Sequence, residues 1–208
     1  MYDSGTSGGH DREVPDDPDA DAPGEDLSGR LLVASPRLGD PNFERTVVLV
    51  LDHGPHGALG VVLNRPTGLP VDEILDRWRD QAEATPPGVV FRGGPVSPDA
   101  VIGLVRTGAG TADAPSRLVL DGVGTVDLAV SPEDQPLPVD GVRMFAGYAG
   151  WSPEQLEDEV GEGAWIVADA FASDIFTEAA DALWHDVLQR QGGSVALLAA
   201  YPPHPSVN

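Results

Sequence analysis

Hydrophobic residues in this chain fall into short, almost unbroken runs punctuated by glycine and proline, and only a few stretches carry a helical period. Gly29-Arg30-Leu31-Leu32-Val33-Ala34 is the first run, closed by Ser35-Pro36. Thr46-Val47-Val48-Leu49-Val50-Leu51 is rich in β-branched residues and has no polar alternation, the pattern of a strand covered on both faces. A turn at Asp52-His53-Gly54-Pro55-His56-Gly57 leads into a second apolar run over 58–63, so a hairpin is expected. Pro66-Thr67-Gly68 is expected to break that strand. Further strands are predicted at 89–92, 101–106, 117–120, 124–129, 142–148 and 164–168, with a last one at 194–201 and a loop at 108–115.

Helical periods are fewer. Over 71–84, Ile74, Leu75 and Trp78 share one face behind Asp72 and Glu73, acids that suit a first turn. Ser152-Pro153-Glu154-Gln155 has the composition of a capping box with proline at the first helical position, and Gly161 or Gly163 should end that helix. Ala180, Leu183, Trp184, Val187 and Leu188 form a five-point stripe stopped by Gly192-Gly193. Hairpins mixed irregularly with a few helices predict an α+β fold rather than a regular βαβ array.

Composition narrows the picture. The N-terminal 27 residues carry nine acids against Arg12 alone, with Gly, Ser and Pro filling most gaps. Such a segment cannot bury enough apolar surface to offset its ordering entropy, and a disordered acidic tail is expected over 1–27, followed by one domain over 28–208. There is no Cys, which removes disulfides, thiolate nucleophiles and cysteine zinc sites. All 12 basic residues are Arg, so Schiff-base lysines and a P-loop lysine are excluded too. Against them stand 34 acids and a net charge of −22. A field of that sign repels nucleic acid and anionic lipid, so neither is an expected partner. No apolar run approaches the roughly 20 residues of a membrane-spanning helix, and no basic-then-apolar leader opens the chain; it is expected in the cytoplasm.

Four ordered motifs carry a resemblance. Gly29-Arg30-Leu31-Leu32-Val33-Ala34-Ser35-Pro36 continues into Asp40-Pro41-Asn42-Phe43-Glu44-Arg45-Thr46-Val47-Val48. Then come His53 with Gly57-Ala58-Leu59-Gly60-Val61-Val62-Leu63-Asn64-Arg65-Pro66, Gly93-Gly94-Pro95-Val96, and Gly147-Tyr148-Ala149-Gly150-Trp151-Ser152-Pro153-Glu154-Gln155-Leu156-Glu157. Over residues 29–190 the chain resembles the AlgH/YqgE proteins, with Trp165 where that family's next strand carries a Trp. The resemblance implies a compact α+β domain with a branched, partly barrel-like mixed sheet surrounded by helices. It implies little about activity, since the family is uncharacterised and sometimes labelled a transcriptional regulator, a label that the charge opposes.

Candidate chemistry is sparse. Gly5-Thr6-Ser7-Gly8-Gly9 spells a nucleophile elbow but lacks a preceding strand and following helix, so it is a chance match. Gly108-Ala109-Gly110 and Gly122-Val123-Gly124 open dinucleotide patterns that fail at Asp113 and Asp127, and both read as turns. His53 and His56 lack a third metal ligand nearby, and Glu154, Glu157, Asp158, Glu159 and Glu162 read as a solvated helix face. Neither a metal nor a cofactor is expected. Tyr148 and Trp151 are expected to help close the core rather than form an aromatic contact patch.

Positive charge concentrates in the first motifs. Residues 28–65 hold Arg30, Arg37, Arg45 and Arg65 against three acids, whereas residues 150–192 hold only Arg190 against ten. Arg45, Asn64 and Arg65, with Gly93-Gly94 and Tyr148, are candidates to border one surface for an anion or a partner, because guanidinium forks pair with carboxylate and phosphate. The expected function is a non-enzymatic binding module for a protein or small anionic ligand, in a possible regulatory role. Two alternatives stay open: a hydrolase using His53 with Arg45 or Arg65, and a regulator that binds DNA directly.

Overall fold

The computed structural model describes residues 25–107, 118–136 and 139–202. The tail and the nucleophile-like Gly5–Gly9 pattern lie outside those residues, except for 25–27, as do the loop at 108–115 and the Gly108 pattern. The first β-branched runs form the antiparallel strands β1 (Arg30–Ala34), β2 (Val47–Gly54) and β3 (Gly57–Val62). β2 has both faces covered, as its unbroken apolar run requires. Val47, Leu49 and Leu51 enter one apolar layer, and Val48 and Val50 enter the other.

β4 (Pro66–Pro70) follows where a break was expected. It pairs only β5 (Val89–Arg92), in an irregular register, and prolines are tolerated at such an edge. The helix predicted over 71–84 is split into α1 (Asp72–Leu75), one 3₁₀ turn and α2 (Arg79–Glu83). Tertiary contacts account for the break. The Trp78 indole is buried and donates to the Leu128 carbonyl at 3.3 Å, while Arg77 donates to Ala129 at 2.8 Å. The tighter turn that serves these bonds leaves Ile74 exposed rather than on the inner face.

β6 (Val96–Thr107), β7 (Leu118–Leu120) and β8 (Val123–Val126) build the far side of the sheet. Of the Gly122-Val123-Gly124 pattern expected as a turn, only Gly122 is in one, and Val123 and Gly124 open β8. β9 (Val139–Trp151) is its hub. β9 pairs antiparallel with β6 along most of its length and with β3 at its end, and parallel with β5 over Met144–Ala146. The sheet is therefore mixed and branched, with path order β10-β1-β2-β3-β9-β6-β8-β7 once β10 (Trp165–Asp169) is added beside β1.

α3 (Gln155–Gly161) precedes β10, and α4 (Ala172–Ile175), α5 (Leu183–Gln191) and α6 (Gly193–Leu198) follow it. Half of the expected capping box is present: Gln155 Oε1 accepts from the Ser152 N–H at 3.0 Å, but Glu154 adopts φ 66° and no side chain caps the helix. The five-point stripe is fully buried, from Ala180 to Leu188. The strand predicted at 194–201 is a helix instead. The Ala/Leu-rich run favours helix, and α6 folds back on α5, where Gln189 holds the Ala196 carbonyl at 3.3 Å.

One layer of the core lies between α4–α5 and the sheet face bearing Leu31, Val33, Leu49, Phe91 and Phe145. A second lies under α3 around Trp151 and Trp165. A third, around Trp78 and Met144, lies beneath α1–α2. The result is one compact α+β domain whose sheet curls partway into a barrel. Among the described residues no helix is long and apolar enough to cross a membrane.

Candidate functional site

The segment between β1 and β2 is folded by its own backbone. Leu38 N–H donates to Ser35 O, Phe43 N–H to Asp40 O and Thr46 N–H to Phe43 O, all at 3.0–3.1 Å, and Asp40 Oδ1 closes an Asx turn on Asn42 N–H at 2.8 Å. Phe43 then anchors it. Its ring sits 5.5 Å from Trp165 and 6.4 Å from Trp151, which are themselves 5.9 Å apart edge to face. Both indole N–H groups donate to Glu159 Oε2, at 3.0 and 2.7 Å. Two members of the acidic cluster on α3 are thus engaged rather than merely solvated, Glu159 by the indoles and Glu157 by His53.

Beyond Phe43 the chain turns sharply at Arg45, whose φ is 52°. Asn64 holds that corner. Its Nδ2 donates to Arg45 O at 2.8 Å and its Oδ1 accepts from Val47 N–H at 3.0 Å. Asn64 is buried, so its amide orients the corner and is not offered to a ligand. The Arg45 guanidinium lies 4.6 Å over the Trp184 ring and donates to the Tyr201 carbonyl. Trp184 in turn donates to Ala34 O at 2.8 Å, locking α5 to the end of β1.

This arrangement opens a cleft of about 250 Å³ between the 36–45 segment and the C-terminal stretch, walled by Pro36, Leu38, Pro41, Trp184, Tyr201 and Pro202. Asp40, Glu44 and Arg45 supply its charges. A second cleft of about 420 Å³ shares the Ser35-Pro36 and Tyr201 wall and runs on past Arg37, Ile166 and Leu198 to Gly163. Tyr201 is 47% exposed and Leu197, on the neighbouring turn of α6, 75% exposed. The two clefts thus adjoin along a shared wall of Ser35, Pro36 and Tyr201.

Across the 40–45 segment lies a smaller recess of about 80 Å³ bordered by Asn42, Arg65, Arg92 and Gly94. Arg65 donates to Glu44 O at 2.6 Å. The chain at Gly93-Gly94 is wedged against β9: Gly93 accepts from Val62 N–H and donates to Ala146 O, both at 2.8 Å. A Cβ on Gly93 would stand 2.3 Å from Gly147 O, and one on Gly94 only 2.1 Å from the Tyr148 carbonyl carbon. Glycine is therefore set there by close backbone approach.

The expected site residues divide accordingly. Arg45 lines the groove, Arg65 and Gly94 line the recess, and Asn64 and Gly93 build the backbone beneath them. Tyr148 underlies Gly94 with its backbone while its half-buried ring packs on the core. His53 stands apart at the far end of β2, about 20 Å along the strand from Val47, the first strand residue after the Arg45 corner, at roughly 3.3 Å per residue. Its ring is nearly buried; Nδ1 accepts from Leu27 N–H at 3.1 Å, which fixes the proton on Nε2, which donates to Glu157 Oε1 at 3.1 Å. His53 is not brought within reach of Arg45 or Arg65, so the constellation a His–Arg hydrolase needs is not assembled. His56 is exposed in the hairpin turn, and no three potential metal ligands gather among the described residues.

Several residues that shape these sites were not foreseen. In the sequence pattern Trp184 belongs to a core stripe, Tyr201 to an apolar run with the look of a strand, and Arg92 to a strand end. Arg143 was not singled out at all. It is 2% exposed, and its fork donates to Ile175 O, Thr177 O and Pro86 O at 2.6–2.9 Å, tying β9 to the α4 region and to the turn before β5. Burial, with Arg106 adding like-charge repulsion, pushes its pKa down to about 10.

A single α+β domain with a curled, branched sheet and a groove beside its first connection describes the class of protein. Its family follows from comparison. A family model described as AlgH-like, DUF179, matches residues 31–196, and the chain belongs to that family. The UPF0301 protein of Streptomyces coelicolor is 52% identical over 186 residues, covering 88% of this chain and 95% of that one. A UPF0301 protein of Thermobifida fusca is 44% identical, covering 88% and 96%. Among solved structures, a Corynebacterium diphtheriae protein superposes with a TM-score of 0.76 at 31% identity, over 84% of this chain and 92% of that one. The AlgH protein of Pseudomonas aeruginosa gives 0.62 at 28% identity, over 87% and 97%. These relatives carry family labels that assign no reaction.

Proposed function

We propose that this protein is a non-catalytic cytoplasmic binding module that takes an extended segment of a partner protein into the groove between the 36–45 segment and the C-terminal stretch, in a regulatory rather than a chemical role. The observation that carries the reading is the groove wall itself. Pro36, Leu38, Pro41, Tyr201 and Pro202 present apolar surface to the groove, above a buried Trp184 ring that is capped by the Arg45 guanidinium. Proline- and tyrosine-lined grooves of this kind dock proline-containing extended peptides. Arg45, held over Trp184 and bonded to Tyr201, fixes the two walls relative to one another.

Charge argues for the sort of segment. Asp40 and Glu44 line the groove, and the whole chain carries −22, so a basic, proline-containing stretch is steered toward it and an acidic one is repelled. The same field argues against the direct DNA-binding alternative.

Selection of peptides from a random displayed library on the full chain tests the reading. Basic, proline-containing sequences should be enriched, and their binding should be lost on Leu38→Asp and on Tyr201→Ala. Absence of enrichment, or binding that survives both substitutions, would count against it.

A further inference from the structure

Arg65 and Arg92 face each other at the mouth of the β4–β5 ladder, and we propose that they hold one oxyanion group of a small ligand, a phosphate or a carboxylate, in the recess between them. The register places them there. Pro66 pairs with Phe91, and Arg92 N–H donates to Arg65 O at 2.8 Å, so the two arginines are cross-strand neighbours. Like charges directly opposite on a ladder destabilise it unless something neutralises them.

A chain with 34 acids has carboxylates to spare, yet none lines this recess. Asp40 and Glu44, the nearest by sequence, line the groove on the other side of the 40–45 segment. Arg65 commits an Nη to the Glu44 carbonyl, which aims its fork and leaves other donors. No carboxylate among the described residues pairs with either guanidinium. Arg45, Arg77, Arg106 and Arg143 also lack one, but each is spent on carbonyls or on an aromatic ring. Exposed Arg37, which lacks one too, has no second guanidinium in the cleft it lines.

Size and shape select the ligand group. A volume of about 80 Å³ suits a single phosphate or carboxylate and leaves the rest of the molecule outside. Gly94 keeps the backbone tight against β9, and Asn42 adds an amide beside the two forks. Paired guanidiniums with an amide form a donor set matched to planar or tetrahedral oxyanions. The recess is separate from the partner groove, and the proposal does not depend on it.

The test is a titration of the full chain with sodium phosphate and, in a parallel arm, sodium acetate at constant ionic strength, following the arginine Nε–Hε resonances. Saturable shifts at Arg65 and Arg92, with Arg77 and Arg79 unmoved, are expected. The arm that saturates identifies phosphate or carboxylate as the favoured group. Arg92→Gln and Arg65→Gln should each weaken binding by about tenfold or more while the remaining amide spectrum stays that of the folded chain. Shifts that never saturate in either arm, or saturable binding unchanged in Arg92→Gln, would overturn the proposal.

Discussion

Asn64 spends both ends of its amide on the backbone, and that use makes it sensitive in a particular way. Asn64→Asp keeps the acceptor for Val47 N–H but replaces the donor to Arg45 O with an oxygen, so a buried carboxylate would face a carbonyl. A loss of about 1–3 kcal/mol is expected in urea unfolding, with the φ 52° corner at Arg45 loosened. Arg143 is a buried cation that satisfies three carbonyls without a carboxylate. Arg143→Met should destabilise by roughly 2–5 kcal/mol, because the three carbonyls lose their donor even though the desolvated charge is removed. The pH dependence has a defined sign. Folded Arg143 loses its proton near pH 10, below its ordinary value, so between those two values the unfolded chain binds more protons and this group's contribution to stability rises with pH. Below about pH 9 the stability gap between wild type and Arg143→Met should be flat, and a gap that changes between pH 6 and 9 would contradict this account of the site.

At the scale of elements, α5 links the core to the groove. Its buried stripe packs on the sheet, and Trp184, in the middle of that stripe, is the platform under Arg45. Trp184→Phe should cost about 1–3 kcal/mol in thermal or urea unfolding, since Ala34 O loses its donor in a buried place. It should also weaken peptide binding in the groove by more than Leu188→Ala does, although Leu188→Ala is expected to cost about 2–5 kcal/mol of stability. The elements also show what the sequence made legible. β1–β3 and the five-point stripe were readable because local pattern and tertiary burial agree there. The helix over 71–84 was misread because Trp78 and Arg77 answer to the 128–129 carbonyls rather than to their own helical period. Residues 194–201 were misread because a short apolar run looks the same as strand or as buried helix. The arginines were visible in the sequence, but their separation into a groove and a recess depends on Phe43 docking against two tryptophans more than a hundred residues away.

For the whole molecule, charge is the dominant property left over by the fold. Of the chain's net −22, the 1–27 segment carries −8 and residues 28–208 the other −14, which makes self-repulsion a standing cost, while the described ion pairs are few and mostly exposed. Raising sodium chloride from about 10 mM to about 300 mM should therefore raise the melting temperature by a few degrees, with most of the gain complete once the screening length falls below about 10 Å. A melting temperature that falls with salt would mean that attractive pairs, not repulsion, dominate. In the proposed binding role, the same field would favour a basic segment, which gains in encounter rate what an acidic one loses.

The central claim is that the groove beside the 36–45 segment is where a partner docks. An amide and indole NMR titration of the full chain with a library-selected peptide tests it most directly. The account predicts saturable shifts at Leu38, Gly39, Arg45, Tyr201 and the Trp184 indole N–H, with the His53–Glu157 end of the hairpin silent. Shifts centred on His53, α3 or the α1–α2 face, with the Trp184 indole unmoved, would contradict it.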